Sequence, residues 1–339
     1  MFGLNKDIEM KKTLLLMLAS LWLVEGCSQK GDDESIESNV NDEPFFLSRE
    51  VIQGFSRDIE YRSWSDLTSM AAPLILFNGV PKKDNRYSIF AVDLAISEIH
   101  KPFESEKLLG DDEELARSRI YVSHGKTQFI YIVRKCNIIE LRLFNTENET
   151  YRSLLSLSFP PDIIWKNDDS GFYYNSGSGL MFYSIDDGVS RRLVLDEDYS
   201  YFQRISKLND QEILLHGIRS IDLYDIESEK ITKLTDTKNQ NKLTLDKKYI
   251  VSRKRSGWFG MKVSNKNPRD ELKLPYLDSI PFFGSIIESE NGFGIGMNGN
   301  TLIVARPGEK PVFYILNDFK KIFGPSILGF KMKEPRIGE

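Results

Sequence analysis

The sequence predicts an all-β domain of six repeated units behind a short export segment and a polar tether. Three features of the 339-residue chain carry this expectation. Short β-branched or aromatic runs bounded by turn residues fill its body, with hardly any helical periodicity. A hairpin-like unit recurs about every forty residues. The composition changes abruptly at Cys27.

The export segment comes first. Lys11 and Lys12 form a small positive patch after Met10, and the twelve apolar residues 13–24 follow. That stretch is too short to span a hydrocarbon core, which needs roughly 20 residues as a helix. It suits the apolar region of a secretory signal, about 7–15 residues behind a basic start. Met10 followed by two lysines reads as a natural start, which makes residues 1–9 an upstream extension. The stretch ends at Leu23-Val24-Glu25-Gly26-Cys27-Ser28, which resembles the lipobox of bacterial lipoproteins. The resemblance implies that residues 1–26 are a signal peptide and that Cys27 is lipidated and becomes the new N-terminus. More than one acyl chain would then hold the protein to a membrane, since stable anchoring takes at least two signals. By the same resemblance Ser28 points to the outer membrane, with the protein facing the periplasm or the cell surface. An ordinary cleaved signal and an uncleaved anchor are the alternatives. Cys136 lies far away in a strand-like run, so no disulfide with Cys27 is expected.

Residues 27–44 are the tether. Asp32, Asp33, Glu34, Glu37, Asp42 and Glu43 face only Lys30, and such a segment cannot bury enough apolar surface to offset the entropy of ordering. Removing residues 1–26 takes away three basic and three acidic side chains, so the formal charge stays at −5. That mild acidity gives no electrostatic reason to expect nucleic acid.

Residues 45–325 form the expected domain, and residues 326–339 a C-terminal tail. Segments 88–100, 140–155, 180–194, 220–235, 260–274 and 301–316 each read as strand, polar turn, strand. Their turn positions Asp93, Asn145, Asp186, Glu227, Asn265 and Pro307 are spaced by 52, 41, 41, 38 and 42 residues. The long first interval holds an insertion at 101–117, within which 108–118 reads as a short helix. A period near forty is what a four-stranded propeller blade requires. Six such units predict a six-bladed β-propeller, and a ring leaves no long exposed edge at its seam. Residues 45–63 either complete the last blade or begin a seventh.

Two segments carry a family resemblance. The run from Trp165 to Tyr174 (WKNDDSGFYY) resembles the W-S-P-D-G-x-x-[IL]-x-[FY] core of TolB-type, or PD40 (WD40-like), propeller repeats. The run from Leu223 to Thr235 (LYDIESEKITKLT) is similar to the hairpin of that family, LYDLxTGxxxxLT. Trp64-Ser65-Asp66 reads as a degenerate copy of the first motif. The resemblance implies a periplasmic binding or scaffolding propeller, without implying a reaction.

Catalytic motifs are mostly missing or out of context. Gly294 to Gly299 spells G-x-G-x-x-G, but a strand-like run rather than a helix follows it, so it reads as a glycine-rich turn. Ser123-His124-Gly125-Lys126 spells S-x-x-K in a loop rather than at a helix start. No G-x-S-x-G elbow occurs. The acidic run from Asp111 to Glu114 lacks the alternation of a calcium loop, and His100, His124 and His216 share no zinc-like spacing. No metal, no cofactor and no catalytic residue are therefore expected.

The surface candidates are Arg253, Lys254, Arg255 and Trp258, cations beside an aromatic that suit an anionic sugar, a lipid headgroup or a peptide carboxylate. The expected function is a non-enzymatic, lipid-anchored envelope protein whose propeller binds a protein or glycan. The alternative is a glycosidase-like propeller enzyme using channel carboxylates.

Overall fold

The structure is a computed structural model. It describes residues 49–52, 63–69, 74–83, 86–94, 98–103, 107–110, 112–176, 179–193, 202–217, 220–236, 242–243, 249–254, 257–263, 271–273, 286–290, 293–305 and 312–329. Among them the strands form six sheets. Blade 1 orders Phe319–Gly329, Leu74–Pro81, Ser88–Asp93 and Glu98–His100. Blade 2 begins with two short pieces, Glu114–Leu115 and Tyr121–Val122, both paired with Gln128–Lys135; Ile138–Asn145 and Thr150–Leu157 follow. Blade 3 is Ile163–Trp165, Gly171–Asn175, Leu180–Ser184 and Val189–Arg192. Blade 4 is Phe202–Lys207, Glu212–Gly217, Ser220–Asp225 and Lys230–Asp236. Blade 5 is Lys242–Leu243, Tyr249–Lys254, Gly257–Lys262 and Glu271–Lys273. Blade 6 is Ile286–Glu290, Phe293–Asn298, Thr301–Ala305 and Val312–Leu316.

The fold is a β-propeller. The first strands of successive blades lie against one another, Ile163–Trp165 against Tyr121–Val122 and Phe202–Lys207, and Ile286–Glu290 against Phe319–Gly329. That contact puts first strands at the hub. Side chains alternate across a strand, and blades 1 to 4 each pack between two others. Ile75 and Phe77 accordingly pack with Ile295, Leu302 and Tyr314 of blade 6. Leu74 and Leu76, on the other face, pack with Phe129, Tyr131 and Phe144 of blade 2. Two buried faces are why the second strands read as continuous apolar runs rather than as alternating ones.

All six expected hairpins are present as the third and fourth strands of the six blades. Several expectations need correction. Residues 326–329 are not tail: the C-terminal strand runs to Gly329, pairs with Leu74–Pro81 and closes the ring. Arg49–Ile52, by contrast, follows the first of its two expected alternatives: it pairs in parallel with Val312–Leu316 and completes the last blade as a fifth strand. The described residues of 108–118 form no helix. Glu113 instead folds back onto the Gly110 amide and the Arg142 guanidinium, and Leu115 pairs with Val133. The described helix is Trp64–Ser69. Ser63 caps it by accepting from the Asp66 amide at 3.2 Å and donating to its carboxylate at 2.6 Å. Cys136 is an exposed turn residue at φ 54°, not a strand residue. Gly294 and Gly296 lie within the strand Phe293–Asn298, and the turn itself is confined to Gly299 and Asn300.

Candidate functional site

In an antiparallel meander, the first-to-second and third-to-fourth turns share one end of a blade, and the second-to-third turn lies at the other. Three first-to-second turns, from blades 2, 3 and 4, form the best-defined polar assembly among the described residues. In blade 2 the turn runs through Ser123, His124, Gly125 and Lys126, closed by the Lys126 amide donating to the Ser123 carbonyl at 3.0 Å. In blade 3 Asp168 organises the turn by accepting from the Ser170 amide, the Ser170 hydroxyl and the Lys166 ammonium. The Lys166 hydrogen bond, followed by those of Ser170, holds the Asp168 carboxyl well below the ordinary carboxylate range. In blade 4 the Asn209 side chain accepts from the Gln211 amide at 2.8 Å and donates to Glu212 at 2.6 Å.

The turns are tied to each other across both blade boundaries. The Asp169 carboxylate of blade 3 accepts from the backbone amides of His124 at 2.8 Å and Gly125 at 2.7 Å in blade 2. A Cβ at Gly125 would stand 3.2 Å from that carboxylate, so the bare backbone suits the approach. The His124 ring faces the same carboxylate through Nδ1 at 3.1 Å. Its Nε2 lies 3.3 Å from Nζ of Lys207 in blade 4. A lysine ammonium can only donate, so Nε2 accepts and Nδ1 carries the proton toward Asp169. Lys207 also donates to Asn167 of blade 3 at 2.7 Å and pairs with Asp210 at 2.9 Å. The Lys207 hydrogen bond holds the Asp210 carboxyl low.

Two clefts open beside this network. One, of about 150 Å³, lies between blades 3 and 4, with Ile164, Tyr173, Ile213 and Ile226 below and Lys166, Asn209 and Asp210 around it. The other, of about 570 Å³, lies between the start of the helix and blade 2, lined by Ser63, Trp64, Lys126, Thr146 and Glu147 among others. The Trp64 indole donates to the Lys126 carbonyl at 2.7 Å, which fixes the helix to the turn.

The predicted surface residues lie elsewhere. Arg253 and Lys254 stand opposite Trp258 and Gly257 in the register of blade 5, flanking its second-to-third turn. That turn is at the opposite end of its blade from the first-to-second turns. Arg255 and Cys27 lie outside the described residues. His100 is buried on the outer strand of blade 1, and His216 sits in blade 4 with Nε2 3.0 Å from the Ser206 hydroxyl. Burial, aided by Arg204, lowers the His216 pKa to about 4. No group of three or more His, Cys, Asp or Glu among the described residues is placed to hold a metal ion. No described helix is long and apolar enough to cross a membrane. His124, Asn167, Asp169 and Lys207 escaped the sequence reading as a group, because S-x-x-K and WKNDDSG were each read within their own blade.

Comparisons with known proteins bear on the fold. No protein-family model and no curated protein matches the chain. The structure is similar to the crystal structure of TolB from Acinetobacter baumannii, with a TM-score of 0.56 and 11% identity. That match covers 76% of this chain and 66% of the other, so the chain spans just under two thirds of TolB. A chain of a nidogen/laminin complex is matched at 0.50 with 9% identity, covering 76% of this chain and 99% of that one. An oligogalacturonate lyase in complex with manganese is matched at 0.44 with 10% identity, covering 70% and 74%. The likeness expected to TolB-type propellers is found in the fold alone.

Proposed function

We propose that the protein is a lipid-anchored envelope protein that works by binding, and that it holds a protein or glycan partner on the turn face of blades 2–4. The observation that carries this reading is the chain of three turns, tied blade to blade through Asp169 and Lys207, with a cleft on either side of it. A face ordered before the partner arrives loses little conformational entropy on binding. The anchor rests on Cys27 and the sequence around it. The glycosidase-like alternative has less behind it. Two-carboxylate chemistry needs one acid held protonated near neutral pH. Every described carboxylate with a displaced pKa (Glu113, Asp168 and Asp210) is displaced downward.

The test is done in a diderm bacterium. Wild type should be acylated at Cys27 by intact mass and membrane-bound, with Cys27→Ala neither. A photo-crosslinking residue at position 168 or 210 should give a discrete adduct, whereas one at Asn137, at the other end of blade 2, should not. Adducts from position 137 alone would overturn the face. Hydrolysis of an envelope polysaccharide by purified protein, lost on changing a carboxylate to its amide, would overturn the binding reading.

A further inference from the structure

Of the two clefts beside the turn network, the one between blades 3 and 4 holds a polar group that the network leaves unpaired. Tyr173 lines this cleft. The residue is 5% exposed, and its hydroxyl makes no hydrogen bond with any described residue. Buried phenols normally find a partner, because an unmade hydrogen bond leaves the desolvation of the group uncompensated. The ring itself is well held, with the Phe182 ring at 5.1 Å and Ile164 opposite it on the neighbouring strand. Burial, followed by the Asp168 carboxylate, raises the Tyr173 pKa; Glu229 adds to the rise and Arg191 opposes it. The hydroxyl therefore stays neutral, able to donate and to accept, within the field of the turn carboxylates.

The rest of the cleft limits what can meet that hydroxyl. Its volume of about 150 Å³ is well under the roughly 300–1,000 Å³ of a small-molecule pocket, and suits a single side chain. Ile164, Ile213 and Ile226 give it apolar walls, which call for a hydrocarbon stem. Asp168 and Asp210 stand at the rim, 56% and 74% exposed. The rim lysines are already committed, Lys166 to Asp168 and Ser170, and Lys207 to Asn167 and Asp210. Charge at this end of the two blades is lopsided. Their third-to-fourth turns hold Asp186, Asp187, Asp225, Glu227 and Glu229 against Lys230, with Arg191 close by and paired to Glu229. Such a surface repels an anion and draws a cation.

We propose that this cleft receives a basic side chain of a protein partner, with its aliphatic stem against the isoleucines and its cationic head between the Tyr173 hydroxyl and the rim carboxylates. Lysine and arginine suit such a site because they bury the stem and keep the charged end among polar groups. The inference rests on the binding reading of the turn face and sharpens it, from a protein or glycan to a polypeptide that presents a lysine or arginine.

Calorimetric titration of the full chain in non-ionic detergent with amidated tetralysine tests it. Wild type should bind the peptide, less tightly as salt rises, and should not bind the same peptide with its side-chain amines acetylated. Tyr173→Phe keeps the ring and removes the hydroxyl, and should weaken binding about tenfold, the worth of a hydrogen bond to a charged group. Asp210→Asn should weaken it about twofold to fivefold, as for an exposed charge. Tyr183→Phe, on the face of blade 3 that packs with blade 2, should leave it unchanged. Equal binding of the acetylated peptide, or binding that Tyr173→Phe does not weaken, overturns the proposal; if that variant unfolds, Asp210→Asn decides. If tetralysine does not bind while position 168 or 210 still yields a crosslinked partner, the face stands and the basic occupant falls. If neither is seen, both readings fall.

Discussion

At the scale of single residues, the largest electrostatic commitment is Arg142. Its guanidinium is 5% exposed and makes a two-armed pair with Glu113, at 2.6 and 2.7 Å, with Glu140 beside it. It also stacks over Tyr151, 4.7 Å from the ring centre. The pair pins the insertion between blades 1 and 2 onto the third strand of blade 2. Removing one partner of such a buried pair leaves an uncompensated charge, at a cost of about 3–5 kcal/mol. Arg142→Ala should therefore lower stability by that amount in denaturant unfolding. The Arg142 hydrogen bond lowers the Glu113 pKa from 4.5 to about 2. The unfolded chain thus binds more protons between these values, so the contribution is present above 4.5 and lost as pH falls through 2. The acid limb of the wild-type stability curve should flatten in the variant. None of this was legible in the sequence. Glu113 lies in a run of four acids that reads as a solvated surface, and its partner is 29 residues away. Asp169 was hidden for the same reason, since its donors belong to another blade.

At the scale of elements, the third and fourth strands were legible and the first were not. The hairpins carry long apolar strands and local turns, such as Asp225 accepting from the Ser228 amide at 2.7 Å. The hub strands are as short as Ile163–Trp165 and Tyr121–Val122, below the length at which alternation can be read. Turn positions were blurred further because non-glycine residues hold the left-handed conformation, Glu149 at φ 52° and Glu229 at φ 52°. Glu229 stands where the TolB-type hairpin has glycine. The short helix was missed because Ser63-Trp64-Ser65-Asp66, a capping signature, also reads as a degenerate blade motif. In blade 3, by contrast, Gly171 is demanded by its surroundings. A Cβ there would lie 2.3 Å from the Tyr183 carbonyl and 2.5 Å from the Phe182 ring. Backbone cannot yield as a side-chain tip can, so Gly171→Ala should destabilise by about 1–3 kcal/mol. Amide exchange should quicken first in Gly171–Asn175 and Leu180–Ser184. Exchange that quickens uniformly over the protein would place the strain elsewhere.

At the scale of the whole molecule, the ring is held by its two ends. The period near forty announced the blades, but closure joins residues 319–329 to 74–81, a separation no local pattern reports. The closing strand places Phe319, Ile322 and Ile327 in the core shared with blade 6 and Leu328 in the core shared with blade 2. It passes blade 2 at Gly324, where φ is 51° and a Cβ would lie 2.3 Å from the Ser118 carbonyl and 2.5 Å from the Arg119 Cα. Asn78 of the neighbouring strand holds that approach by donating to the same Ser118 carbonyl at 2.8 Å. Gly299 supplies the contrast, with φ 64° and nothing within 4 Å of its Cβ position. An alanine at either site incurs the left-handed cost, about 1–2 kcal/mol. Gly324→Ala incurs in addition a backbone overlap at the seam, a further 1–3 kcal/mol, roughly that of overpacking. Gly299→Ala should thus shift the unfolding midpoint modestly and leave amide exchange in Leu74–Pro81 unchanged. Gly324→Ala should shift it more and open Leu74–Pro81 ahead of blades 3 and 4. Equal effects of the two alanines would mean that the seam is no tighter than a surface turn, and that the ring is held by its apolar interfaces alone.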